Sequence, residues 1–304
     1  MSVFEPVLEP GLVHTPVTPF TRDNRIDYDT FAKLIEFHIG SGADSLALPM
    51  HIGESVSLTD EEQRALLAFA IKQVNGRKPV IAHASDAGSA IAADRARHAQ
   101  GLGAAAIVAT TPYYWTPPPH MILEHFAAIG AAVSIPFLVY NSPEEMPGSK
   151  ITAELCLKLI DRLPNFAGVV DLSLDWQFMI ELLTYAKRKR PGFALIAGTE
   201  HLVSAAATGA TGLFSPLAGV APKLVRKLYD CCRKDQLVEA RGAQEAVAAL
   251  RQHLKSSGSL KAALRTMGRD CGVPRPPLQA PDAEAARTLA ATVEPLLCDE
   301  PRGF

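Results

Sequence analysis

Eight short apolar runs recur roughly every 30 residues along the 304-residue chain, each followed by an amphipathic segment. This alternation predicts an α/β chain, a (β/α)8 TIM barrel over residues 1–233 with a C-terminal helical extension over 234–304. The runs are continuously apolar instead of alternating, as expected of parallel strands buried on both faces. Eight units fit a closed barrel better than an open sheet. No G-x-G-x-x-G follows the first run, which argues against a dinucleotide-binding fold.

The elements follow in order. Gly11–Thr18 is the first strand, and Asp27 or Asp29 stands where a cap is needed for the helix that begins near Tyr28 and stops at Gly40–Gly42. Ser45–Pro49 is the second strand. Thr59-Asp60-Glu61-Glu62 then has capping-box spacing and opens a helix to about Val74. Pro79–Ala84 is the third strand, before a helix of small residues over Ala87–Gln100. Ala104–Thr110, Pro136–Asn141, Phe166–Leu172, Phe193–Ala197 and Gly212–Ser215 complete the eight. Beyond Lys234 the pattern is helical over Val238–Leu254, Leu260–Met267 and Ala283–Leu297, interrupted at Gly272–Leu278. The stripe Ala243, Val247, Leu250 and Leu254 has helical spacing and is expected to pack inward.

A formal net charge of −2 offers no electrostatic case for nucleic acid or an anionic membrane. The five cysteines show no C-x-x-C spacing, which predicts free thiols and a reducing cytoplasm. Neither a signal peptide nor a membrane span is predicted. No cofactor-binding motif and no H-x-x-H or H-E-x-x-H metal pattern is present.

In a TIM barrel the chemistry sits at the C-terminal ends of the strands. Those ends read Thr15-Pro16-Val17-Thr18-Pro19-Phe20, Met50-His51-Ile52-Gly53-Glu54-Ser55, Thr111-Pro112-Tyr113-Tyr114 and Tyr140-Asn141-Ser142-Pro143, with Arg275-Pro276-Pro277-Leu278 near the C-terminus. In collinear order over nearly the whole chain, they resemble the dihydrodipicolinate synthase / N-acetylneuraminate lyase family. The resemblance implies a class I pyruvate aldolase scaffold, a small-molecule carboxylate ligand, and a homo-oligomer, dimer or tetramer, with a homotetramer of tight dimers as the default. It also implies a sixth-strand lysine that forms a Schiff base, and a tyrosine relay in which one tyrosine crosses from the neighbouring subunit.

The sixth-strand motif here is Gly168-Val169-Val170-Asp171-Leu172-Ser173, so the lysine position falls on Val170. Imine formation needs an amine, and an apolar side chain cannot replace it. Lys33, Lys72, Lys158, Lys187 and Lys189 belong to helices, and Lys78 precedes a strand on the opposite face. Lys150 alone is expected on the right face. The family's G-T-T-G is also changed, with His51 and Ile52 replacing both hydroxyls. Glu144 and Glu145 occupy the stretch where the synthases carry an arginine.

The expected catalytic set is therefore Tyr140, His51, Tyr114 and Asp171, with Ile52, Gly53, His83, Val170, Glu200 and Ser215 lining the substrate. His201 is a further polar group after strand seven. Each has a plainer reading: the histidines as loop caps, Tyr113 and Tyr114 as interface packing beside Trp115, Asp171 as a backbone anchor, Glu54 as a loop anchor. A metal held by His51, His83 and a carboxylate is a third use of the same residues, one that no spacing pattern supports. Two functional readings stand. One is a lyase-like enzyme acting on a small 2-oxo or hydroxy acid without Schiff-base catalysis. The other is a catalytically silent paralogue, a pseudoenzyme, that binds a small carboxylate as a sensor or subunit.

Overall fold

The computed structural model describes residues 9–143 and 151–304. The first eight residues and the stretch holding Glu144, Glu145 and Lys150 lie outside the described residues. The strands are β1 (Leu12–His14), β2 (Ser45–Leu48), β3 (Val80–His83), β4 (Ala106–Thr110), β5 (Phe137–Asn141), β6 (Phe166–Asp171), β7 (Ala194–Ala197) and β8 (Gly212–Ser215). They hydrogen-bond in chain order and close into a barrel, with helices between successive strands. The expected first strand ran to Thr18, but β1 stops at His14. Pro16 has no N–H for a ladder, and the Thr15 N–H donates to the Ser215 carbonyl at 3.2 Å.

The helix starts follow from capping chemistry. The Asp27 carboxylate accepts the Thr30 N–H at 3.0 Å and so caps α1 (Tyr28–Gly40). Thr59 and Glu62 form the reciprocal capping box of α2 (Asp60–Val74). In α3 (Ser89–Gly101) the buried side chains are all alanines, Ala92, Ala93, Ala96 and Ala99, which allows close approach to its neighbours. The other helices in the barrel are α4 (Pro119–Ala131), α5 (Ala153–Arg162), α6 (Trp176–Lys189), α7 (Leu202–Ala207) and α8 (Pro222–Arg233). After them come α9 (Leu237–His253), α10 (Ser257–Thr266) and α11 (Ala283–Val293), the last followed by a 3-10 turn, Glu294–Leu297.

The chain divides into two compact units. The first comprises Met1–Gly11 and Pro79–Leu213. Within it, the rings of Phe126, Phe137, Phe166 and Phe193 form a continuous series with centroids 6.1, 5.8 and 5.3 Å apart, joining α4, β5, β6 and the start of β7. The second comprises Leu12–Lys78 and Phe214–Phe304. There α9 packs on α8 and α10 on α11, and the predicted stripe Ala243, Val247, Leu250 and Leu254 is buried. The reading of 1–233 and 234–304 follows chain order, whereas this unit groups the C-terminal helices with residues 12–78.

All five cysteines are unbridged. Among the described residues no helix is long and apolar enough to cross a membrane.

Candidate active site

In the first unit, Thr110 of β4 stands in register with Tyr140 of β5, Tyr140 with Val170 of β6, and Val170 with Ile196 of β7. One residue on, Asn141 is in register with Asp171, and Asp171 with Ala197. Successive side chains on a strand point to opposite faces, so these rows look in opposite directions. The direction is set by Phe137 of β5, whose ring packs on Phe126 of α4, 6.1 Å between centroids. Asn141, four residues on, shares its face, so Asn141 and Asp171 face the helices, and the row Thr110, Tyr140, Val170, Ile196 faces the barrel interior. His83, in register with Val108 two residues before Thr110, shares that inner face. Val170 is wholly buried and Tyr140 nearly so. Gly168, below Val170, is required by close packing: a Cβ there would lie 2.3 Å from the Ala194 carbonyl oxygen.

Asp171 is committed to fastening strand ends. Its carboxylate accepts from Asn141 Nδ2 at 2.6 Å and from Ser173 Oγ at 2.9 Å. Burial raises its pKa to about 6 even against those hydrogen bonds. Glu200 is buried after β7, and His201 holds the N-cap position of α7 without a side-chain capping bond. Tyr113 is half-buried; burial, then the charge of Asp86, raise its phenol pKa while Arg95 hydrogen-bonds it. Tyr114 differs entirely. It has φ +85°, a region that side chains other than glycine rarely adopt, and it is fully exposed in the single chain.

In the second unit, the exposed His51 opens a 3-10 turn, His51–Gly53, after β2. Ile52 is half-buried and Gly53 buried. The Gly53 carbonyl accepts from Thr18 Oγ1 at 2.6 Å, and a Cβ on Gly53 would come 3.1 Å from the Pro16 carbonyl. Ser215, at the end of β8, is buried and its Oγ accepts the Ala218 N–H at 3.2 Å.

Glu54 follows with left-handed backbone, φ +61°, and is held there by a buried polar cluster. Its carboxylate accepts from Lys261 Nζ at 2.6 Å and from the Arg275 N–H at 2.8 Å. Burial pulls the Lys261 pKa down, and Glu54 opposes that shift. The Arg275 guanidinium makes two 2.6 Å bonds to Glu62, and both cations lie over the Phe20 ring at 4.3 and 4.4 Å. Nothing in the sequence sets Lys261 apart from the other helical lysines. Its partner Glu54 lies 207 residues away, so no local pattern announces the pair.

The structure thus brings Tyr140 together with Val170 on the inner face, with His83 on the same side, and sets Asp171 on the outer face with Asn141. Among the described residues, every lysine lies in a helix, at a helix end, between α9 and α10, or before β3; none stands on a strand or directly after one. Among the described residues, too, no group of three or more His, Cys, Asp or Glu side chains is arranged to hold a metal ion.

Comparison with known proteins gives concordant results. Residues 9–296 match the dihydrodipicolinate synthetase family. A 4-hydroxy-tetrahydrodipicolinate synthase of Chlorobium phaeobacteroides is 34% identical over 227 residues, 74% of this chain and 75% of that protein. Another, of Chlorobium phaeovibrioides, is 31% identical over 285 residues, 92% of this chain and 95% of that protein. Among solved structures, a prophage protein of E. coli K12 belonging to the dihydrodipicolinic acid synthase family, in complex with pyruvate, superposes with a TM-score of 0.89. It is 26% identical, covering 95% of this chain and 99% of that one.

Proposed function

Because the chain belongs to the dihydrodipicolinate synthetase family, whose scaffold is that of a class I aldolase-type lyase, we propose that it is a lyase-like enzyme for a small 2-oxo or hydroxy acid that works without a Schiff base. The observation that carries this reading is Val170, wholly buried on the inner face in register with Tyr140. An isopropyl group has no lone pair to attack a carbonyl, whereas the phenol beside it carries an O–H able to donate. Tyr140 then acts as general acid in a retro-aldol cleavage: as the bond between the α- and β-carbons of a 4-hydroxy-2-oxo acid breaks, its electron pair passes to the 2-carbonyl oxygen, which takes the phenol's proton, while the 4-hydroxyl gives its proton to water and becomes the carbonyl of the second product. Val170 offers apolar surface to the substrate's carbon skeleton, and His83 and Thr110 line the same face.

Asp171 serves as a positioning residue, since Asn141 and Ser173 take up its carboxylate. His51 is a second candidate acid–base group, and Ile52, Gly53, Glu200 and Ser215 are candidate contacts for substrate. Tyr114, exposed in the single chain, suits the face between subunits of a homo-oligomer, dimer or tetramer. A small carboxylate remains the ligand class, in keeping with the pyruvate in the E. coli neighbour. A cytoplasmic location accords with five unbridged thiols.

Borohydride reduction in the presence of pyruvate, read by intact mass, tests the central claim. No added mass is expected. A reduced adduct on any lysine, Lys150 included, overturns it. A screen of small 2-oxo and hydroxy acids that yields no turnover, while the same acids still bind, would favour the silent paralogue.

A further inference from the structure

Lys261 and Arg275 belong to the C-terminal segment, yet both end on the loop that follows β2. Lys261, in α10, is buried, and its Nζ donates to Glu54 at 2.6 Å and to the Val273 carbonyl at 3.3 Å. The Arg275 N–H donates to the other Glu54 oxygen at 2.8 Å, and Nη1 of the same residue donates to the Ser57 carbonyl at 3.0 Å. Glu54 itself joins two 3-10 turns, His51–Gly53 and Ser55–Ser57. Its N–H donates to the His51 carbonyl at 2.8 Å, and its carbonyl accepts the Ser57 N–H at 2.8 Å. A further stitch lies nearby, where the Phe20 N–H donates to the Cys271 carbonyl at 3.2 Å.

A glutamate with positive φ persists only where its surroundings hold it. Here the hold is a wholly buried carboxylate, each of whose oxygens meets one donor from the C-terminal segment. Without the ammonium that charge is left half-paired, and openings of the loop that let it reach water become frequent. Each opening swings the Glu54 peptide and breaks its bond to the His51 carbonyl, so the His51–Gly53 turn moves as well. We infer that Lys261 is a positioning residue: through the Glu54 carboxylate it fixes the His51–Gly53 turn for substrate. The inference rests on the reading above, in which His51, Ile52 and Gly53 meet the substrate. Arg275 shares the task at the second oxygen. The C-terminal segment is on this account part of the site and not an appendage.

Hydrogen exchange of the full chain, read by mass on peptides, tests the hold, and calorimetric titration with pyruvate tests its consequence. In Lys261→Met, exchange over residues 51–57 should accelerate about tenfold more than in a peptide of β5, which registers global loosening. The pyruvate dissociation constant should rise about tenfold, the scale of one lost charge-assisted hydrogen bond, and His51→Gln should raise it too. Equal acceleration in the two peptides overturns the positioning role. Binding weakened in His51→Gln but not in Lys261→Met also overturns it, while leaving the substrate reading intact. Pyruvate that fails to bind, or binding unmoved by either variant, discards the substrate reading and the positioning role with it. Should Lys261→Met fail to fold, Glu54→Gln/Lys261→Met, which buries neither charge, gives the same two readouts.

Discussion

The polar cluster around Glu54 and the inner face around Tyr140 are both buried, yet they are built on opposite principles. Around Glu54 each ionised group meets a partner: carboxylate to ammonium, backbone amide to carboxylate, guanidinium to carboxylate. Around Tyr140 the neighbours in register are Thr110 and Val170, one short hydroxyl and one aliphatic side chain. The first arrangement holds a left-handed loop in place. The second sets a phenol beside an aliphatic side chain on the inner face, where the proposed acid would meet its substrate.

Removing one partner from the first region should have the largest effect. Lys261→Met leaves Glu54 buried with only the Arg275 amide, which should cost about 3–5 kcal/mol in denaturant unfolding. The double variant Glu54→Gln/Lys261→Met should recover part of that loss; full additivity would show the two side chains do not act as a pair. In the second region, Tyr140→Phe should lower turnover about a hundredfold, equivalent to about 2.7 kcal/mol on the barrier. A variant that keeps full activity removes Tyr140 from the mechanism.

Val170→Lys sharpens the contrast from the other side. It should permit a borohydride-trapped pyruvate adduct at position 170 while destabilising the fold by about 2 kcal/mol, because the site accommodates an isopropyl group. Failure to trap an adduct in a folded variant would mean that the inner face is not arranged as the inherited site.

The smallest effect concerns pH. His14 and His38 are buried, with their Nδ1 atoms 3.0 Å apart, so one donates and the other accepts. Burial lowers both pKa values, His38 to about 3. The folded protein then binds fewer protons than the unfolded chain below about pH 6.5. The stability due to neutral His38 is complete above that pH and declines as pH falls towards 3, by up to about 1.4 kcal/mol per pH unit. Asp171, raised to about 6, has the opposite sign: it favours the folded state below its unfolded pKa, and that contribution fades as pH rises through 6. Denaturant midpoints measured from pH 6.5 to 5.5 should fall, and fall more steeply in Asp171→Asn. A flat profile would contradict the buried neutral histidine pair.

Much of the barrel is legible in the chain because its signals are local. Continuous apolar runs mark β4 to β7 to within a few residues, and the Thr59–Glu62 spacing marks a helix start that forms as a capping box. The candidate site is less legible. Val170 and Asp171 are adjacent and both buried, so no polar–apolar alternation tells which one faces inward. The register with Tyr140 and the packing of Phe137 on Phe126 of α4 decide it. Lys261 reads as one lysine in an amphipathic helix until the fold sets it against Glu54.

By itself, the sequence determined the order of strands and helices, the helix caps, and that the sixth strand carries no lysine, because each depends on residues close together in the chain. The tertiary structure alone decided which strand-end side chains share a face and which charges are paired. Those properties arise from register and from contacts across tens to hundreds of residues, where no local periodicity carries the information.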